Sequence, residues 1–348
     1  MAFMNFGEIN RIILFGGSVL MAEFVRALKE KPYEIIVFSS KRQLEESVQP
    51  NGVILEDILK CEEVKYFSAF DINKEPNIRN FINEFALGIG IGECWSFSIN
   101  LINLFGGKLL DFMGICLPQY RGGAHYTWQI LRRNRIGCCN LQIINEEMIP
   151  AKFDSGKIVK TKEYLHPNFV RIPQDYFNNV VKEGVKFLLE FLDEVEQGKD
   201  FSLSSLQEGF SILFPRLFTK KHGYIDWRWR TVDIEAFICS FDDPYSGAST
   251  FLNNQKIFLK KCYVEYVDGP FHPFQSGLIY RKYYDCCYVA SSEGTLLIKE
   301  VLDENGNNII NKINLGERFY TPIRYIEEAM LYKAEYDASG IKDKRKKD

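Results

Sequence analysis

The chain has 348 residues, 46% of them hydrophobic and 14% aromatic, which is enough apolar material for about two domains with buried cores and excludes a disordered chain. Its formal net charge of −3 argues against a dedicated nucleic-acid binder, whose surface is usually basic on one face. Nine cysteines, with no CxxC spacing and with the adjacent pairs Cys138-Cys139 and Cys286-Cys287, fit a reduced, cytosolic chain better than a disulfide-stapled one.

Residues 12–17 (IILFGG) form an apolar run ending on glycines, the pattern of a buried strand, and residues 20–31 carry apolar side chains at helical spacing. Residues 34–39 (EIIVFS) repeat the strand pattern, followed by a polar helix-like stretch over 41–48. Further strands are expected at 64–67, 85–92 and 108–113, with helical segments between them. Strands alternating with helices predict an α/β fold with a mostly parallel sheet covered on both faces. A long helix is expected over 174–197.

From about Gly223 the texture changes to short β-rich runs, IFLKKCYVEYV, GLIYRK, CCYVAS and GTLLIKEVL, separated by turn clusters at Asn253-Asn254 and 304–308. These predict a small antiparallel domain closed into a barrel. The reading divides the chain into a Rossmann-like domain over 1–203, a β domain over 204–330 and a charged tail over 331–348, frayed from Ser339 on. No apolar stretch reaches the ~18–20 residues of a membrane span, and the opening MAFMNFGEINR lacks the order of a signal peptide. A cytoplasmic location follows by elimination.

Gly16-Gly17-Ser18 stands where a dinucleotide-binding fingerprint would follow the first strand. It is not GxGxxG, so a tight strand-to-helix turn is the better reading. The four histidines, His125, His166, His222 and His272, show neither HxH nor HExxH spacing, which argues against a zinc site. No GxSxG elbow or Walker loop is present. The informative stretch is DFMGICLPQYRGGAHYTW, residues 111–128. Its strand emerges at the sheet edge where open α/β sheets place ligands, and Arg121-Gly122-Gly123 combines close backbone approach with a fixed cation. Downstream, FDSGKIV places Asp154 on a turn before another strand-like run.

LPQYRGGAHYTWQIL followed by FDSGKIV resembles the family of formyltransferases that use N10-formyltetrahydrofolate, which includes methionyl-tRNA formyltransferases and sugar-nucleotide N-formyltransferases. FPRLFTKKHGYIDW (214–227) and FICSFDDPYSGAST (237–250) resemble the entry into that family's OB-like carboxyl-terminal domain. The resemblance implies a Rossmann-like formyltransferase domain with a mostly parallel sheet, followed by a small OB-like β-barrel. It implies N10-formyltetrahydrofolate as cosubstrate, contacted by Ile115, Cys116, Leu117 and Pro118, and a catalytic Asp at Asp154. At the family's Asn and His positions stand Asp111 and Met113.

Those two positions carry the chemistry. In the family reaction an amine attacks the formyl carbon, the His takes its proton and the Asn donates to the oxyanion. A thioether has no titratable proton, so Met113 cannot be the base. Asp111 and Asp154, if they share the site, titrate as a pair, with a protonated Asp111 donating to the carbonyl oxygen and Asp154 acting as base. His125 is a further candidate base; at a helix start such a residue is more often a cap or lies at the surface.

The resemblance to the sugar branch implies a nucleotide-linked amino sugar as the acceptor, no nucleic-acid or membrane partner, and admits a homodimer. The alternatives are a non-catalytic binder of folate, nucleotide-sugar or a partner protein, another acyl transfer in the same pocket, and a methionyl-tRNA formyltransferase-like protein. Lys220, Lys221, Arg228 and Arg230 would serve a tRNA, but clusters of this kind are more often solvated faces. The aromatic residues of the second domain, among them Trp227, Trp229, Tyr266, Tyr283 and Tyr284, would stack a base or fill a core.

Overall fold

A computed structural model of the protein describes residues 2–49, 52–145, 156–337 and 340–341. The chain packs as two compact units. The first comprises Met1–Arg121, Ile136–Leu165 and Asn178–Ile212; the second comprises Gly122–Arg135, His166–Phe177 and Leu213–Asp348. The helices that matter below are α1 (Val19–Leu28), α2 (Leu55–Cys61), α3 (Ile99–Leu104), α4 (His125–Leu131), α5 (Pro173–Glu196), α6 (Thr231–Ser240) and α7 (Ile323–Leu331).

The first unit is built on seven strands: β1 (Arg11–Gly17), β2 (Glu34–Ser39), β3 (Lys65–Ser68), β4 (Ala86–Gly92), β5 (Leu109–Met113), β6 (Ile136–Ile143) and β7 (Ile158–Leu165). Their order across the sheet is β3-β2-β1-β4-β5-β6-β7. The first five are parallel, whereas β6 runs antiparallel to β5 and β7 antiparallel to β6. Central β1 is buried on both faces, with Ile12, Ile13, Leu14 and Phe15 at 0% exposure, as a strand covered from both sides requires. Burying one such Phe contributes about 1.5–3 kcal/mol.

Ser18 caps α1 by accepting from the Met21 N–H, and the helix buries Leu20, Met21, Phe24, Val25 and Leu28. On one sheet face Phe15 meets Phe97 edge-on at 5.1 Å, with Phe38, Phe105 and Leu109 in the same cluster. On the other, Phe112 packs on Phe187 of α5 at 6.2 Å. Gly16 takes φ +105°, and a Cβ there would lie 2.4 Å from the Ile91 carbonyl oxygen. The glycine is needed for the pairing of β1 with β4.

The second unit contains β8 (Ala248–Leu252), β9 (Gln255–Glu265), β10 (Ile279–Tyr283), β11 (Cys286–Ser291) and β12 (Gly294–Leu302). They form an antiparallel sheet in the order β8-β9-β12-β11-β10. Asn253 and Asn254 connect β8 to β9 with φ of 49° and 66°, the left-handed pair of a tight hairpin turn. One segment closes the sheet: Tyr320 bridges Phe251 of β8, while Arg318 bridges Leu278 next to β10. Both edges are thus occupied and the expected barrel is present. Its core includes Ile257, Leu259, Cys262, Ile279, Leu296 and Ile298, capped by Ile234 and Ile238 of α6.

The structure departs from expectation in three places. The polar stretch 41–48 holds only a four-residue helix, Lys41–Leu44. Residues 231–240, expected among β-rich runs, form α6, because a short apolar stretch such as AFICSF reads equally as strand or helix. The sheet also continues past β5 into the antiparallel β6, which the sequence reading did not mark. Among the described residues no helix is long and apolar enough to cross a membrane.

Candidate active site in the first unit

Strand alternation sets the site. Leu110 and Phe112 point to the face covered by α5, so Asp111 and Met113 point to the other. Across the ladder, Asp111 pairs with Gln142 and Met113 with Asn140, while on the other side Asp111 lies beside Gly90 of β4. A Cβ at Gly90 would sit 3.0 Å from Asp111 Oδ1, so the glycine leaves room for the carboxylate.

Asp111 is 9% exposed. Gln142, fully buried, donates from Nε2 to Asp111 Oδ2 at 3.1 Å. Its own Oε1 is buried without a hydrogen-bond partner. The Cys94 thiol lies 4.0 Å from Asp111 Oδ1. Burial and the charge of Asp111 push that thiol far above its ordinary range, so it stays protonated. Gln142 and Cys94 are thus both donors, of the kind an ionised carboxylate accepts.

Beyond Met113 the chain turns at Gly114, where a Cβ would fall 2.5 Å from Val180 Cγ1. Ile115, Cys116 and Pro118 are buried, Leu117 is half-buried, and the Leu117-Pro118 peptide is cis. Asn140 Nδ2 donates to the Ile115 carbonyl at 2.5 Å and to that of Met113 at 3.4 Å, while Asn140 Oδ1 accepts from the Thr161 hydroxyl at 2.7 Å. The Tyr120 N–H closes the loop onto the Cys116 carbonyl at 2.9 Å.

Cys116 does not carry a free thiol. It is disulfide-bonded to Cys138 of β6, with the Cα atoms 4.9 Å apart. This corrects the expectation of a wholly reduced chain: the pairing of β5 with β6 folds the loop over Cys138, a proximity invisible in the spacing of the two cysteines. The other seven cysteines are free.

Asp154, the second expected carboxylate, lies outside the described residues, as does the rest of 146–155. His125 belongs to the second unit, where it opens α4. It is half-buried, with Nε2 lacking a hydrogen-bond partner, and burial pushes its imidazole down to about 4. At neutral pH it is uncharged. In the same unit Arg228 pairs with Asp226 at 2.6 Å and Arg230 with Glu293 at 2.9 Å. Trp227 is core, donating to Thr250 Oγ1 at 2.9 Å, whereas Tyr266, Tyr283 and Tyr284 are exposed. Among the described residues no cluster of His, Cys, Asp and Glu could hold a metal ion. A cavity of about 450 Å³, lined by Ile102, Asn103, Gly106, Gly107, Ile143, Ile144 and Asn145, lies toward the amino end of β5, away from Met113.

Sequence reasoning singled out Asp111, Met113 and the loop; it did not mark their neighbours Gln142, Asn140, Cys94 and Cys138. The first two become visible only once β6 is known to pair with β5 in this register.

Residues 218–312 match the family model "Formyl transferase, C-terminal domain". A methionyl-tRNA formyltransferase of Agathobacter rectalis is 24% identical over 68% of this chain and 73% of its own length. One of Desulfotalea psychrophila is 25% identical over 56% of this chain, and the match spans 57% of that relative. Among solved structures, an N-formyltransferase from Helicobacter canadensis in complex with folinic acid and dTDP-3-aminofucose superimposes with a TM-score of 0.62 at 13% identity, covering 84% of this chain and 99% of that one. WlaRD, a sugar 3N-formyltransferase solved with dTDP and 5-N-formyl-THF, gives 0.60 at 14% identity, over 85% and 98%. At such identities the superpositions speak for the fold alone. The carboxyl-terminal domain match, the sequence relatives and the shared fold together make the chain similar to formyltransferases over both its units.

Proposed function

We propose that this chain transfers a formyl group from N10-formyltetrahydrofolate to the amine of a nucleotide-linked amino sugar, using Asp111 where the family uses an amide and Met113 where it uses an imidazole. The observation that carries the reading is the buried Gln142 amide donating to Asp111 beside the loop 114–120. It holds a carboxylate, ready to accept a proton, at the position from which the resemblance expects chemistry. The amine nitrogen attacks the formyl carbon; Asp111 takes the ammonium proton of the adduct; the bond from carbon to folate N10 breaks and N10 is protonated. The family's oxyanion donor is absent at 111, so turnover is slow: one such donor is worth ~10²–10³ in rate. Asp154 completes the site on the resemblance alone. The internal pairing of Arg228 and Arg230 with acids leaves fewer cations for phosphates and favours a small acceptor over tRNA.

Met113 specifically favours a second reading, a binder of folate and nucleotide-sugar without turnover. A single-turnover assay with N10-formyltetrahydrofolate and dTDP-linked amino sugars decides. Release of tetrahydrofolate that depends on the acceptor supports transfer, and its loss in Asp111→Ala assigns the carboxylate. Binding of both ligands without release supports the second reading. No binding of either ligand refutes both.

A further inference from the structure

Loop 114–120 is tied to β6 at two neighbouring points, by the Asn140 amide on the Ile115 carbonyl and by the Cys116–Cys138 disulfide. The seven other cysteines are unpaired, including the buried Cys139 next to Cys138. A chain that lives in oxidising surroundings and relies on disulfides for its fold pairs its thiols; one bond among seven free thiols is the pattern of a reducing environment, where a disulfide is transient and redox-sensing. This bond lies within four residues on the chain of both Met113 and Pro118.

We propose that Cys116–Cys138 is a reversible thiol–disulfide exchange site that sets the order of loop 114–120, the oxidised form holding the loop in its ligand-ready conformation. The consequence for folate rests on the function proposed above; the exchange itself does not.

The reaction is a two-electron exchange with a dithiol reductant. A reductant thiolate attacks Sγ of Cys116, at 8% exposure the more accessible of the two against 3% for Cys138. The Cys116–Cys138 bond breaks, and Cys138 leaves as a thiolate and takes a proton. The reductant's second thiol then attacks its own sulfur in the mixed disulfide, releasing Cys116 as a thiol and the reductant as a cyclic disulfide. Reoxidation reverses these steps with a disulfide of the same class. The nearby thiols do not compete, because the thiolate is the attacking species. Burial pushes Cys139 up to about 12 and Cys94 higher still, so both remain protonated.

With the bond open, Asn140 still pins Ile115, but Leu117 and Pro118 lose their covalent anchor. A ligand that uses the loop must then order it on binding, at a cost in affinity.

The test uses the full chain, prepared oxidised and after dithiothreitol. Non-reducing peptide mapping should find the 116–138 linkage and its loss on reduction. Hydrogen exchange at 114–120 should accelerate at least ~10-fold on reduction, and Cys116→Ser should exchange at the reduced rate in both conditions. The Kd for 5-formyltetrahydrofolate should rise by roughly the same factor. A faster loop with no folate binding in either state leaves the exchange site standing and refutes the folate reading. Absence of the linkage, unchanged exchange at 114–120, or equal folate affinity in the two states despite a faster loop would each overturn the proposal.

Discussion

Replacing Asn140 by leucine keeps the volume of a buried residue and removes every hydrogen bond its side chain makes. The Ile115 carbonyl, in a residue 4% exposed, then loses its amide donor and has no water to turn to. Leaving such a group unpaired costs about 1–3 kcal/mol. The Thr161 hydroxyl is on an exposed residue and finds solvent, so its lost bond adds only about 0.5–1 kcal/mol. The sum is about 1.5–4 kcal/mol. For a unit of this size each kcal/mol lowers Tm by roughly 2–4 °C, so the fall should be roughly 3–16 °C. Calorimetry on the oxidised chain, with the disulfide verified, measures it without interference from loop release. Asn140→Asp provides a second arm, setting a carboxylate against two carbonyl oxygens, and should be at least as damaging. A fall of less than about 2 °C for Asn140→Leu would refute the claim that this amide holds the loop.

Three further outcomes are expected. Gly16→Ala forces a Cβ to 2.4 Å from the Ile91 oxygen at φ +105° and should destabilise by about 2–4 kcal/mol in urea unfolding; a stable variant would show that β1 and β4 can part there without penalty. Joint Asp111→Asn and Met113→His substitution should raise formyl transfer at least ~100-fold in the single-turnover assay, since it supplies both a donor and a base, and no gain in a folded variant would point to a different use of the pocket. His125 and His166 are both held down to about 4 from 6.5 by burial, so the unfolded chain takes protons that the native one refuses. Their contribution is intact above pH 6.5 and is lost as pH falls toward 4, at up to about 1.4 kcal/mol per pH unit for each. Replacing either by Gln should flatten the decline of urea-midpoint stability over that window, and an unchanged slope would mean the imidazole is protonated in the native state.

The strands that were legible in the sequence are those whose apolar runs are cut off by turn residues on both sides. Glu34–Ser39, Cys286–Ser291 and Gly294–Leu302 have the bounds expected of them. The α6 helix was not legible because its burial is nearly all-round, which erases the periodicity that separates helix from strand. The site divides the same way. Asp111 and Met113 stand out locally, since both depart from a family pattern in a readable strand. Gln142, Asn140 and Cys138 matter through the ladder between β5 and β6, and a register is a property of two segments that neither one carries alone.

The closing segment of the barrel lies beyond the stretch that matches the family domain, which ends at residue 312. A chain cut there would keep all five strands of the sheet and lose the piece that occupies both its borders. Phe251 at one rim, and Gly277 with Ile279 at the other, would then present open backbone donors and acceptors, an invitation for the borders of two molecules to pair with each other. The minimal folding unit of the second half is therefore longer than its recognisable domain, and shortening it to the recognisable part should turn a closed barrel into a self-associating sheet.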